Sequence, residues 1–125
     1  MIGLLDTNVV LWILAGDESR VPGALRDHLE TIERVAVSAA SVWEIEIKRA
    51  KGKLRAPDDI LAAIHDASLD LIAITPVHAR DAGRLPPIHD DPFDRTLVAQ
   101  GIAEGLTIFT SDAVFGEYGV LTERV

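Results

Sequence analysis

The sequence predicts an α/β protein: a three-layer α/β/α sandwich around a short central parallel sheet of four to five strands. Three observations carry this. Short apolar runs alternate with longer amphipathic stretches along the chain. The runs are rich in Val, Ile and Leu without polar alternation, the pattern of strands buried on both faces. Glycine or proline stands at most junctions, where helices stop or start. The 125 residues are expected to form one domain, 1–125.

Residues 2–5 form the first strand, ending at Asp6. Asp6, Thr7 and Asn8 offer cap-type side chains before an apolar helix over 9–14 that Gly16 stops. Residues 22–33 form a second helix, with Leu25, Leu29 and Ile32 on one face. A second strand spans 35–37. Ser38 or Ser41 then caps a helix reaching Lys51, closed by Gly52. Pro57, Asp58 and Asp59 open a helix striped by Ile60, Leu61 and Ile64, and residues 69–74 form a third strand. Thr75 and Pro76 start a helix to Leu85. The two consecutive prolines at 86–87 force a loop to Pro92. Residues 93–104 form a helix with Phe93, Leu97 and Ile102 inward, closed by Gly105. A fourth strand covers 106–109, an irregular turn runs to Gly119, and residues 120–121 suggest an edge strand.

Composition removes several classes. Hydrophobic residues at 48% and charged residues at 26% are globular usage, not disorder. The absence of cysteine excludes disulfides, zinc–thiolate sites, iron–sulfur clusters and cysteine nucleophiles, and it fits a reducing compartment. No apolar run approaches the ~20 residues of a membrane span. The first residues carry no basic leader, which points to the cytoplasm. Against 20 acids the chain has only 12 lysines and arginines, a net charge of −8. On that scale alone it argues against a nucleic-acid partner.

The placement of the acids changes the question. Asp6 follows the first strand and Asp112 the fourth, so both should project from the carboxyl edge of a parallel sheet. Glu44 and Asp94 lie in the first turns of helices that begin near the same edge. Each Asp alone could be a helix cap. Together, four carboxylates would repel one another unless a cation neutralised them. An oxygen donor set without cysteine suits magnesium or manganese, ions that serve phosphoryl chemistry. The four histidines have no paired metal-ligand spacing, and a hydrogen bond in the acid-rich loop is the expected role of His89.

Asp6-Thr7-Asn8, Val42-Trp43-Glu44-Ile45, His89-Asp90-Asp91-Pro92-Phe93-Asp94-Arg95 and Thr110-Ser111-Asp112 together resemble the PIN-domain ribonucleases, and more narrowly the VapC-type toxins of toxin–antitoxin pairs. The resemblance spans the chain, with the motifs in family order. It implies a PIN-like fold and a metal-dependent endoribonuclease. The catalytic acids would be Asp6, Glu44, Asp94 and Asp112, and Asp6, Asp94 and Asp112 would hold magnesium or manganese. Glu44 is either a further ligand or the base for the attacking water. Thr7, Asn8, Asp91, Arg95 and Ser111 would orient the carboxylates by hydrogen bonding, Asp91 also capping its helix. The resemblance also implies a VapB-like antitoxin, which covers a groove near the first helix and inserts a basic side chain among the carboxylates, and a homodimer.

Lys48, Arg49, Lys51 and Lys53 are concentrated beyond Glu44. They form either a solvated helix end or an RNA-contacting rim. Two Trp, one Tyr and three Phe are too few for an extended stacking platform. The apolar first helix is either fully buried or meets another chain. Two alternatives stand beside the nuclease. An aspartyl-phosphate-type phosphohydrolase would want a second Asp where Asn8 stands, and a catalytically silent PIN-like binding module would have no need of all four acids.

Overall fold

The computed structural model describes residues 2–125; Met1, the first residue of the segment read as lacking a leader, lies outside them. Five strands, β1 (Ile2–Leu5), β2 (Arg34–Ser38), β3 (Asp70–Ile72), β4 (Thr107–Thr110) and β5 (Thr122–Arg124), form one sheet in the order β3-β2-β1-β4-β5. Every neighbouring pair is parallel. The helices are α1 (Thr7–Ala15), α2 (Gly23–Glu30), α3 (Ala39–Ala50), α4 (Ile60–Asp66), α5 (Pro76–Arg84) and α6 (Pro92–Glu104), with a 3-10 turn at Ala113–Tyr118.

The strands lack polar alternation because each feeds two cores. Leu5, Val37 and Phe109 pack with Val9, Val10, Ile45, Ile60 and Ile64 on one face. Leu4, Ala36 and Ile108 pack with Leu97, Val98, Phe115 and Val120 on the other. Successive strand residues thus point into opposite layers. Gly3 is required by this packing: a Cβ there would lie 2.7 Å from the Phe109 ring.

Local chemistry sets the boundaries. Gly16 and Gly105 end α1 and α6 at φ 68° and 66°, a left-handed conformation that side chains disfavour. Ser38, not Ser41, caps α3 by accepting from the Ala40 N–H. Thr75 and His78 form a reciprocal cap on α5.

Three expectations need correction. Ile102 and Leu61 face outward, 54% and 52% exposed. Each sits one residue, about 100° of helix turn, past a buried neighbour, Gly101 or Ile60. The edge strand begins at Thr122, because Val120 is drawn into the core after Gly119 turns the chain at φ 77°. Leu11, Trp12, Ile13 and Leu14 of α1 are all half-buried, so this helix keeps an open side.

The chain goes from β1 outward to β2 and β3, then crosses to β4 on the other flank of β1. The order therefore reverses between β1 and β4. Crevices in open α/β sheets form at the carboxyl edge of such a reversal.

Candidate active site

Four separate chain segments meet at that reversal. Asp6 leaves β1 at the position preceding α1, yet its carboxylate caps nothing in the helix. Its Oδ2 accepts instead from Thr110 Oγ1 of β4 at 2.8 Å, and the residue is only 5% exposed. The same Thr110 oxygen accepts from the Asp112 N–H at 2.9 Å. One hydroxyl thereby ties the two acids together. Asp112 caps the 3-10 turn through Oδ1, accepting from the Val114 N–H, and is otherwise exposed.

Glu44 projects from α3 and is also 5% exposed. Its Oε2 accepts from Lys48 Nζ at 2.7 Å, and its Oε1 is buried with no hydrogen-bond partner. Asp94 stands in the first turn of α6, where Oδ2 accepts from His89 Nε2 at 2.9 Å. Asp91 caps α6, its Oδ1 accepting from the Phe93 and Asp94 N–H groups. His89, Asp91 and Asp94 each offer a ligand atom, all within 4.8 Å of one another.

Asp6 and Asp94 also feel the charges of the other acids. Burial, then the Glu44 and Asp112 charges, raise the Asp6 carboxyl above its usual value, against the pull of the Thr110 hydrogen bond. Burial and Asp91 push Asp94 up to about 7, helped by Asp6 and Glu44 and opposed by the His89 hydrogen bond. The Asp94 hydrogen bond raises His89 above the usual imidazole value. Acids that resist ionisation beside one another mark a site short of positive charge. The orphaned Glu44 oxygen and the oxygen-rich donor set fit a hard divalent cation.

The supporting residues differ from those singled out in the sequence. Asn8 and Ser111 are exposed side chains outside these contacts. Thr7 Oγ1 bonds Ser41 Oγ at 2.8 Å, fastening the start of α1 to α3 in the interior. Arg95 touches no carboxylate; it donates to the backbone oxygens of Ala82, Leu85, Pro86 and His89, holding the loop that carries His89. Tyr118 Oη donates to the same His89 oxygen. Thr110, His89 and Lys48 are the side chains that hydrogen-bond to the acids. Among the bases, Lys48 is inside the site, paired with Glu44. Arg49 is committed to Glu46 and to the Ala56 and Pro57 carbonyls. Lys51 and Lys53 are exposed beyond the far end of α3, with Lys51 about 10 Å along the axis from Glu44.

The family model for the PIN domain matches residues 3–121. The chain belongs to the PIN domain family. PIN domains are nucleases that generally use a divalent metal. None of the curated proteins compared matches this PIN domain by sequence. Its fold is shared by solved structures. VapBC2 from Rickettsia felis, bound to a DNA fragment from its promoter, superposes with a TM-score of 0.75 at 17% identity, covering 100% of this chain and 99% of that one. DNA-bound VapBC from Salmonella typhimurium gives 0.73 at 19% identity, covering 99% and 98%. VapBC-5 from Mycobacterium tuberculosis gives 0.58 at 22% identity, covering 99% and 97%.

Proposed function

We propose that this PIN domain is the nuclease toxin of a toxin–antitoxin pair, a VapC-type endoribonuclease that hydrolyses RNA phosphodiester bonds with magnesium or manganese. The observation that carries the reading is the gathering of Asp6, Glu44, Asp94 and Asp112 at the sheet reversal, with a Glu44 oxygen buried and unpaired.

Asp6, Asp94 and Asp112 would hold the ion. When bound, such an ion offsets phosphate charge and acidifies water. The chain's own residues supply the rest. Thr110 fixes the Asp6 carboxylate and the Asp112 backbone relative to each other. Glu44 Oε1 is buried without a donor, free to complete the ligand set or to serve as base for the attacking water. His89 Nε2 holds a proton against Asp94 Oδ2, and Asp91 fixes the helix turn on which Asp94 sits. The aspartyl-phosphate alternative is weaker, since Asn8 is exposed where its second acid should stand.

Cleavage of RNA should require magnesium or manganese, stop in EDTA, and fall to background in Asp6→Asn. Undiminished activity in EDTA or in the variant overturns the proposal.

The partner reading has its own support. A cavity of about 560 Å³ lies at the opposite sheet edge, lined by Ile13, Arg26, Leu29, Ile32, Val35 and Leu69 among others. Arg26 Nε is buried there without an acceptor. We infer that an apolar antitoxin segment fills this groove. For the homodimer, exposed Val77 of α5 and Ile102 of α6 supply apolar surface; sedimentation of Ile102→Glu as a monomer would support it. The cytoplasm is the proposed location, and no helix among the described residues is long and apolar enough to cross a membrane.

A further inference from the structure

The strongest unassigned feature is an aromatic rim on the acid site. Trp43 precedes Glu44 on α3, and Phe93 precedes Asp94 on α6, each pair with Cα atoms about 3.8 Å apart. The two rings meet across the helices with centroids 5.1 Å apart and planes at 84°. An edge-to-face contact props the indole without covering it, and Trp43 stays 60% exposed.

Trp43 has an acidic neighbour on its own helix face: three residues on stands exposed Glu46. Two copies meeting here would also bring two acidic clusters together. The bases nearest the site are already engaged: Lys48 by Glu44, Arg49 and Arg95 by backbone carbonyls. A strand approaching this chain of net charge −8 therefore finds little phosphate attraction at the rim. It does find a free indole one residue from a catalytic carboxylate.

We propose that Trp43, buttressed by Phe93, is a positioning residue that stacks on one unpaired nucleobase flanking the scissile phosphate. The proposal rests on the nuclease reading above. It asks for one stacked base, not a platform, and stacking tolerates any base because each has a π-face.

The test uses an oligoadenylate and the same strand with an abasic ribose at each position in turn. Cleavage by the full chain with magnesium or manganese is compared for wild type, Trp43→Ala and Trp43→Phe, with binding of the labelled strands by anisotropy alongside. Trp43→Ala should raise KM about 5- to 150-fold with little change in kcat, and Trp43→Phe should restore most of it. An abasic site at the stacked position should weaken wild type by the same factor and add nothing to Trp43→Ala. Wild-type KM in Trp43→Ala, an equal loss on every abasic strand, or a loss that tracks a change from dimer to monomer in sedimentation overturns stacking and leaves the nuclease reading standing. If wild type cleaves nothing, the nuclease reading fails, and binding decides stacking: base-dependent affinity lost with Trp43 supports it, base-independent affinity overturns it.

Discussion

At the scale of single residues, Thr110 links two of the acids. Its hydroxyl donates to Asp6 and accepts from the Asp112 backbone. Replacing it with valine keeps the shape and leaves a buried carboxylate oxygen unpaired, at about 1–3 kcal/mol. Thr110→Val should also lower divalent-metal affinity about ten- to a hundredfold, as read by calorimetric titration, while Thr110→Ser retains most of it. The sequence pointed to Ser111 in this role. The difference is one of register: Leu5 pairs with Phe109, so the residue after each, Asp6 and Thr110, stand side by side. A one-residue shift turns a side chain from the interior to solvent, and strand pairing is not written in either strand alone. Asp6, Asp94 and Asp112 were legible because each sits next to a strand end or helix start, whereas Glu44 lies a turn further into α3. The pairings of Lys48 and His89 were not legible: the sequence allows Lys48 a solvated helix end or a rim and gives His89 a loop hydrogen bond, yet one pairs with Glu44 and the other with Asp94.

Asp94 also sets a pH dependence at this scale. Its folded-state value of about 7 stands above the ordinary 3.8. The folded, metal-free protein therefore binds more protons than the unfolded chain between these values, and its stability falls as pH rises through that window. The raised His89 acts in the same direction. Metal-free protein should melt at a higher temperature at pH 5.5 than at pH 8, and Asp94→Asn should flatten the difference. Metal affinity should run the other way, weakening below about pH 7 as Asp94 takes up its proton.

At the scale of elements, the helix beginnings do most of the positioning. Asp91 stops being a spare acid once its Oδ1 is seen to bond both the Phe93 and Asp94 N–H groups. Asp91→Ala should cost about 1 kcal/mol in stability and a larger share of activity than of stability, because Asp94 rides on the freed turn. Asp91→Asn should recover the stability, measured by urea unfolding. Almost every element was legible because glycine, proline and cap residues punctuate the chain. The inward faces were less so. Gln100 is fully buried, with Nε2 donating to the Ala73 carbonyl, while Ile102 two residues on is exposed. Hydrophobicity ranks the isoleucine inward, but the arc of α6 facing the sheet runs through Leu97, Val98 and Gly101, and close approach there depends on glycine: a Cβ at Gly101 would lie 2.8 Å from Val120 Cγ2.

At the scale of the whole molecule, the net charge of −8 misleads when it is read as a uniform surface property. Several of the acids are drawn to one sheet edge, where they oppose one another's ionisation. A bound divalent ion would relieve this. Magnesium at a hundredfold excess over its Kd should add about 2.7 kcal/mol to unfolding stability, with the gain lost in Asp6→Asn. Monovalent salt at equal ionic strength should give far less, since screening is weak for buried charges.

The Thr110–Asp6 bond joins positions 104 apart in the chain, and Glu44 and Asp94 arrive from two further segments between them. No stretch of the chain holds the acid cluster by itself, and no partly folded form without the β1–β4 pairing can assemble it. Catalytic competence is therefore as cooperative as the fold: its loss in urea should superimpose on the loss of the sheet, with no range of denaturant in which an active fragment outlives the native topology.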